Sequence, residues 1–252
     1  MNVHAVKTKL MTIGDNLNDV IAESIHNLEE KSVLVIASKI FSYSESRLIE
    51  RKTQSRDEKW DLARKEADWW LDPDESKYQC MLTIKGNWMF ANAGIDESNA
   101  QNGGFVLWPK DTQASVNRVW NFLRSHYGIE EVGVIMSDSR ALPLSWGVMG
   151  HAVASCGFEV LKSYIGKADL FGRMMQMEQV NMAQSIVTAG TLEMGEGAEQ
   201  TPIAIVRNVR DLVFTSSVPT LAELENTKVS IQDDIFAPLL TKVPWQKGNG
   251  GN

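Results

Sequence analysis

Hydrophobic positions along this chain follow two rhythms, and each predicts its own kind of element. Val33 to Ala37 (VLVIA), Val132 to Met136 (VGVIM) and Ile203 to Val206 are short unbroken apolar runs, the pattern of strands buried on both faces. Cys80 to Ile84 and Trp88 to Ala91 flank Lys85, Gly86 and Asn87, which predicts a hairpin. The second rhythm is helical. Leu17, Val20, Ile21, Ile25 and Leu28 recur every three or four positions and predict an amphipathic helix over 16–30. Trp60, Leu62, Ala63 and Ala67 give one apolar stripe to the highly charged stretch 51–66, and Pro73 ends that pattern. Asp111 as cap and Gly128 as stop bracket a helix over 112–127 lined by Val116, Val119, Trp120 and Leu123. Asp169 to Val187 reads as a long helix whose methionines, Met174, Met175, Met177 and Met182, fill core. Residues 147–157 are small and glycine-bearing, which suits close backbone approach to a ligand and tight strand packing equally. Beyond Arg207 the strand pattern fades into short helices near 221–225 and 231–240.

Composition narrows the class. At 252 residues, with 43% hydrophobic and 23% charged positions, the chain can bury a real core as one large or two modest domains. Its 32 acidic against 25 basic residues leave a net charge of −7, which argues against a general nucleic-acid binder. Any anionic nucleotide then has to be met by local cations or metal. Cys80 and Cys156 are the only cysteines, in unrelated contexts, so neither a disulfide framework nor a thiolate metal site is expected. No stretch reaches the roughly 18 apolar residues of a membrane span, and the N-terminus lacks a signal-like apolar run. These features predict a cytoplasmic protein.

Three acidic turns change the picture. ANAGIDESN at 91–99 leaves the apolar run Trp88, Met89, Phe90 and sets Asp96 among Glu97, Ser98 and Asn99. VGVIM runs into Ser137, Asp138 and Ser139, and LEMGEGAE at 192–199 places Glu196 between two glycines. Each alone has the composition of an ordinary surface turn. Together they offer hard oxygen donors from distant parts of the chain, and magnesium is commonly held by one or two carboxylates with water and nucleotide phosphates. Ser38 and Lys39 at the exit of VLVIA suit a phosphate, though a loop lysine is also at home in solvent. His151 reads as a core histidine rather than a catalytic base.

Six motifs, in order and spanning roughly residues 5 to 207, resemble the coenzyme F420:L-glutamate ligase family. They are SKIFSYSESR (38–47), NAGIDESN (92–99), VIMSDS (134–139), GVMGHAVA (147–154), SYIGKADLFGR (163–173) and LEMGEGAEQTP (192–202). EADWWL (66–71) and LWPKD (107–111) are similar to a bacterial branch named for gamma-glutamate ligation in folate metabolism.

The resemblance implies an α/β fold with a mixed sheet, assembled as an intertwined homodimer. Residues 1–210 would form the catalytic unit, possible two lobes included, 211–246 a helical extension and 247–252 a disordered tail. It also implies an amide-forming acid–amino-acid ligase requiring Mg²⁺ or Mn²⁺ and GTP or ATP. Such an enzyme joins L-glutamate to a pterin- or deazaflavin-type acid, of F420-0 or folate type, through an acyl phosphate. By motif, Asp96 and Asp138 would hold one metal, Ser139 and Glu196 a second. Ser38, Lys39, Tyr43 and Asn99 would lie against the nucleotide with the segment Val6, Lys7, Thr8, Lys9. The loop bearing Met194, Gly195, Gly197, Glu199 and Thr201 would join them. Asp96, Asp138 and Arg173 are the candidate catalytic residues; the Arg173 fork suits a carboxylate or phosphate, and equally a helix ion pair.

The chain also departs from the family. A glycine and arginines usually precede GVVG, whereas Ser139, Arg140, Ala141, Leu142, Pro143, Leu144, Ser145 and Trp146 stand here, and Tyr43 replaces a common lysine. Fewer cations also fit a nucleotide- or cofactor-binding homologue with weakened catalysis, or a ligase for another small acid. Trp146 suits stacking on a flat ring or plain packing.

Overall fold

A computed structural model describes residues 1–251. The first part of the chain forms β1 (Asn2–Val6), α1 (Leu17–Ser24), β2 (Ser32–Ala37), α2 (Ser38–Ser44), β3 (Leu48–Ile49), α3 (Asp57–Glu66) and β4 (Trp69–Trp70). The expected hairpin follows as β5 (Leu82–Lys85) and β6 (Trp88–Ala91), then β7 (Phe105–Val106), α4 (Thr112–Tyr127), β8 (Val132–Ala141) and β9 (Val148–Cys156). The remainder holds β10 (Leu161–Ser163), β11 (Gln179–Asn181), α5 (Met182–Met194), β12 (Ile203–Arg207), α6 (Leu221–Glu225), α7 (Ala237–Leu240) and β13 (Gln246–Lys247).

Five strands build the central sheet in the order β1-β12-β2-β8-β9. β2 and β8 run parallel and the other pairs antiparallel, so the sheet is mixed and the class is α/β. Strand alternation explains its two coats. Leu34, Ile36, Val134 and Met136 pack with residues of α1 and α4, whereas Val33, Val35 and Ile135 pack with α5. Asp111 accepts the Ala114 N–H at 2.8 Å to start α4, and Gly128 at φ 66° ends it. Gly190 brings α5 close, since a Cβ there would stand 2.7 Å from the Val35 side chain. A smaller sheet, β13-β4-β5-β6, lies beside a separate apolar cluster that includes Ala63, Met81, Ile95, Phe105 and Leu107.

Four expectations are corrected. α1 stops at Ser24 because Ile25 is extended and its carbonyl accepts the Tyr127 hydroxyl at 2.6 Å, although Ile25 and Leu28 are buried as expected. The charged stretch becomes helical only from Asp57, the Glu58 carboxylate having taken the N–H groups of Lys52 and Thr53 at 2.9 Å each. The methionine-rich helix begins at Met182, leaving Met174 and Met177 exposed. Asp169 Oδ1 accepts the N–H groups of Phe171 and Arg173 at 2.8 and 2.9 Å, and Gly172 takes φ 81°, a local alternative to helix. The glycine-rich end is ordered as far as it is described: the N–H groups of Gly248, Gly250 and Gly251 reach the carbonyls of Asp68, Ala67 and Lys65. A Cβ on Gly248 would stand 2.1 Å from the Ala67 carbonyl oxygen, so glycines that read as disorder permit close approach. Asn252 of that expected tail lies outside the described residues. Among the described residues, no helix is long and apolar enough to cross a membrane.

Candidate active site

The parallel pairing of β2 with β8 sets two strand exits side by side, Ala37 opposite Ser137. β2 delivers Ser38 and Lys39. β8 does not turn after Met136, as the sequence predicts, but continues to Ala141 with a register shift against β9 between Met136 and Ser137. Asp138 therefore projects from a strand. Asp96 is fixed by a two-way backbone bridge to Val106, at 3.0 and 2.9 Å, and its Oδ1 accepts the Ser98 N–H and hydroxyl at 2.7 and 2.8 Å. Glu196 follows the end of α5, where Gly195 takes φ 77°; a Cβ there would stand 2.5 Å from the Glu199 carboxyl carbon.

The three turns meet. One cavity of about 380 Å³ is lined by Asp96, Asp138, Ser139 and Glu196 together with Ser38, Lys39, Tyr43 and Asn99. Thr8, Lys9 and the loop from Met194 to Thr201 complete its wall. The Ser139 hydroxyl donates to Glu196 at 2.7 Å, Asn99 Nδ2 donates to the Gly197 carbonyl at 2.8 Å, and the Thr201 hydroxyl donates to the Met194 carbonyl at 2.6 Å. Lys39 Nζ lies 2.8 Å from Asp96 Oδ2 and also donates to the Ser98 carbonyl.

The F420-0:gamma-glutamyl ligase family profile matches residues 5–208. The chain belongs to that family. It is similar to the coenzyme F420:L-glutamate ligase of Methanopyrus kandleri, 33% identical over 213 residues, 78% of this chain and 82% of the relative. The proteins of the same name from Methanocaldococcus jannaschii and Archaeoglobus fulgidus are 31% identical over 207 residues and 30% over 212. These alignments cover 76% and 79% of this chain, and 80% and 84% of the relatives. Membership places the chain among amino-acid ligases.

Within this ligase-family cavity the two aspartates differ. Burial would raise Asp96, but Lys39 and the two Ser98 donors outweigh it and hold the carboxyl below its ordinary value. Burial pushes Asp138 up to about 7, with the Asp96 charge adding and the donors Ser139 N–H and Trp108 Nε1–H opposing. Those donors, at 2.8 and 2.5 Å, are neutral. Among the described residues no three or more His, Cys, Asp or Glu groups are gathered closely enough to hold an ion by themselves. The donor set still fits a hard divalent cation, because carboxylates and a hydroxyl share the cavity and Asp138 has only neutral hydrogen-bond partners.

Three candidates stand apart from the cavity. Val6 is buried in the central sheet opposite Ile203, and Lys7 is exposed beyond it. Arg173 is displaced because its helix did not form: its side chain is 87% exposed and, among the described residues, meets only Asp169, at 3.9 Å. His151 is buried as expected, edge-on to Trp88 and Phe90, with burial and nearby Arg140 lowering it to about 3. Trp108 escaped notice as a site residue, since LWPKD marks a likeness but nothing in a tryptophan before a proline reveals a partner thirty residues away.

Proposed function

We propose that this chain is a metal- and nucleotide-dependent gamma-glutamyl ligase adding L-glutamate to a carboxylate of an F420-0- or folate-type cofactor. The supporting observation is the convergence of Asp96, Asp138, Ser139 and Glu196 on the cavity that also holds Ser38, Lys39 and the Met194–Thr201 loop. Asp96 and Asp138 would hold one Mg²⁺ or Mn²⁺, Ser139 and Glu196 a second. Bound there, the ions would offset charge on the phosphoryl group in transfer.

A carboxylate resists attack by an amine because its leaving group is poor. In this reading an acceptor carboxylate oxygen attacks the γ-phosphorus of GTP or ATP, the bond to the β–γ bridging oxygen breaks, and an acyl phosphate forms. The glutamate amine then attacks the acyl carbon, gives up a proton and expels inorganic phosphate. Asn99 and the Met194–Thr201 loop would hold the nucleotide, and Lys39, beside Asp96, would meet a phosphate oxygen. Mass spectrometry after incubation with GTP or ATP, Mg²⁺ or Mn²⁺, L-glutamate and a cofactor panel tests this. Mass addition of one glutamyl residue to an F420 or folate precursor is expected; its absence with every acceptor sinks the proposal.

The active species in this reading is a cytoplasmic homodimer, and the two free cysteines suit a reducing compartment. Leu144 and Trp146 in the β8–β9 connection, and Leu170 and Phe171 in the 164–178 loop, stand almost bare in solvent. Apolar side chains so exposed mark a contact surface, and a second copy covers both patches by symmetry. Sedimentation is expected to give twice the 28.1 kDa chain mass. One observation favours a second reading: the exposed stretch Ala141–Trp146 carries no cation. A binding homologue with weakened catalysis would show Mg²⁺-dependent nucleotide binding by calorimetry without turnover of any acceptor.

A further inference from the structure

Behind Asp138 a buried aromatic side chain makes a contact that the cavity lining does not show. Trp108 directs its indole N–H at Asp138 Oδ2, 2.5 Å away, while Oδ1 accepts, among the described residues, only the Ser139 N–H at 2.8 Å. The indole is held on several sides. Phe90 meets it edge-on with ring centroids 4.8 Å apart, and a Cβ on Gly94 would stand 2.4 Å from its Cε2. Arg47 Nε holds the Trp108 carbonyl at 2.9 Å, and Lys85 Nζ lies 5.5 Å from the ring centroid. Trp108 is 3% exposed, so its one polar side-chain atom has been taken from water and committed to Asp138.

We propose that Trp108 is a positioning residue for metal binding, holding Oδ2 so that the Asp138 carboxylate keeps one plane and offers Oδ1 to a divalent cation. This rests on the reading of Asp138 as a metal ligand. An indole suits the task because it donates one hydrogen, accepts none and carries no charge. It orients the anion without cancelling it. A lysine in its place would leave nothing for a metal to neutralise, which is the state of Glu66 between Arg47 and Lys85. Partners behind a metal ligand set its direction, and their loss typically weakens metal affinity by about 10- to 100-fold.

The test uses full-length protein and Mn²⁺ alone, with free ion read by electron paramagnetic resonance. Trp108→Phe keeps an aromatic ring and removes the donor; the Mn²⁺ Kd is expected to rise about 10-fold or more. In an Asp138→Asn background the same change is expected to move Kd by less than about two-fold, because its target is gone. A folded Trp108→Phe protein with wild-type affinity overturns the proposal, as does an equal loss in both backgrounds. A wild type that takes up no Mn²⁺ overturns the metal reading and this one together, which separates the two failures. If Trp108→Phe does not fold, ¹⁵N-tryptophan NMR of the wild type decides. The Trp108 indole resonance is expected to move on Mg²⁺ addition more than that of any other of the eight tryptophans, and an unmoved one counts against the proposal.

Discussion

Glu66 and Asp138 are both carboxylates drawn out of water, and the chain treats them in opposite ways. Glu66, at the end of α3, accepts Arg47 at 2.8 Å and Lys85 at 2.6 Å. Burial alone would raise it, yet the two cations outweigh burial and hold it below its ordinary value. Asp138 has only neutral donors and is pushed up to about 7. A carboxylate cancelled inside the protein is finished, and its work is to fasten α3 to the small sheet. One whose hydrogen-bond donors are neutral keeps its attraction for a cation from outside.

Four measurements break or sharpen that contrast. Glu66→Gln leaves two cations facing each other without an anion and is expected to cost about 3–5 kcal/mol in denaturant unfolding. Turnover of the folded fraction should survive; a loss matching that at Asp138 would erase the distinction. Asp138→Asn should cut glutamate incorporation by about 10²-fold, near 3 kcal/mol, while leaving the chain folded. The third is a pH series without metal. The folded value of Asp138, about 7, exceeds its ordinary 3.8, so the neutral form is favoured and stability falls as pH rises through that window. Asn has no such dependence, so Asp138→Asn should match wild type near pH 4. It should exceed wild type by about 2 kcal/mol at pH 8, a figure discounted for partial solvent access. Glu66, with its lowered value, acts in the other sense and loses its stabilisation as pH falls. Thermal melts across pH read both arms, and added Mg²⁺ should flatten the first. The smallest effect belongs to Arg173→Ala, within about 0.5 kcal/mol by thermal melt, because its side chain stands in solvent.

Much of the cavity was legible in the sequence because polar residues set beside an apolar run carry a local signature. Asp96, Asp138 and Glu196 each follow or precede an apolar run, and short-range composition marks such places without any knowledge of the fold. The failures share a cause. Asp169 looks like a helix start until its carboxylate is seen capturing two N–H groups of its own loop. Gly248 and Gly250 read as disorder until the backbone just after α3, at Asp68 and Ala67, appears beneath them. Trp108 is a hydrophobic letter whose indole N–H reaches Asp138, a contact that no local pattern encodes. Strand and helix rhythm predicted the main elements and the family likeness supplied the fold class and sheet mixture, while helix ends depended on distant partners such as Tyr127 at Ile25.

β2 and β8 are joined rung by rung from Ser32 opposite Val132 to Ala37 opposite Ser137. A slip of one rung would turn Asp138 to the far side of the sheet, so Lys39 and Asp138 inherit their spacing from the backbone pairing of the two strands. Among the described residues, the connection 142–147 takes no part in that sheet. Changes in that connection leave the pairing of β2 with β8, and with it the placing of Asp138, as it is.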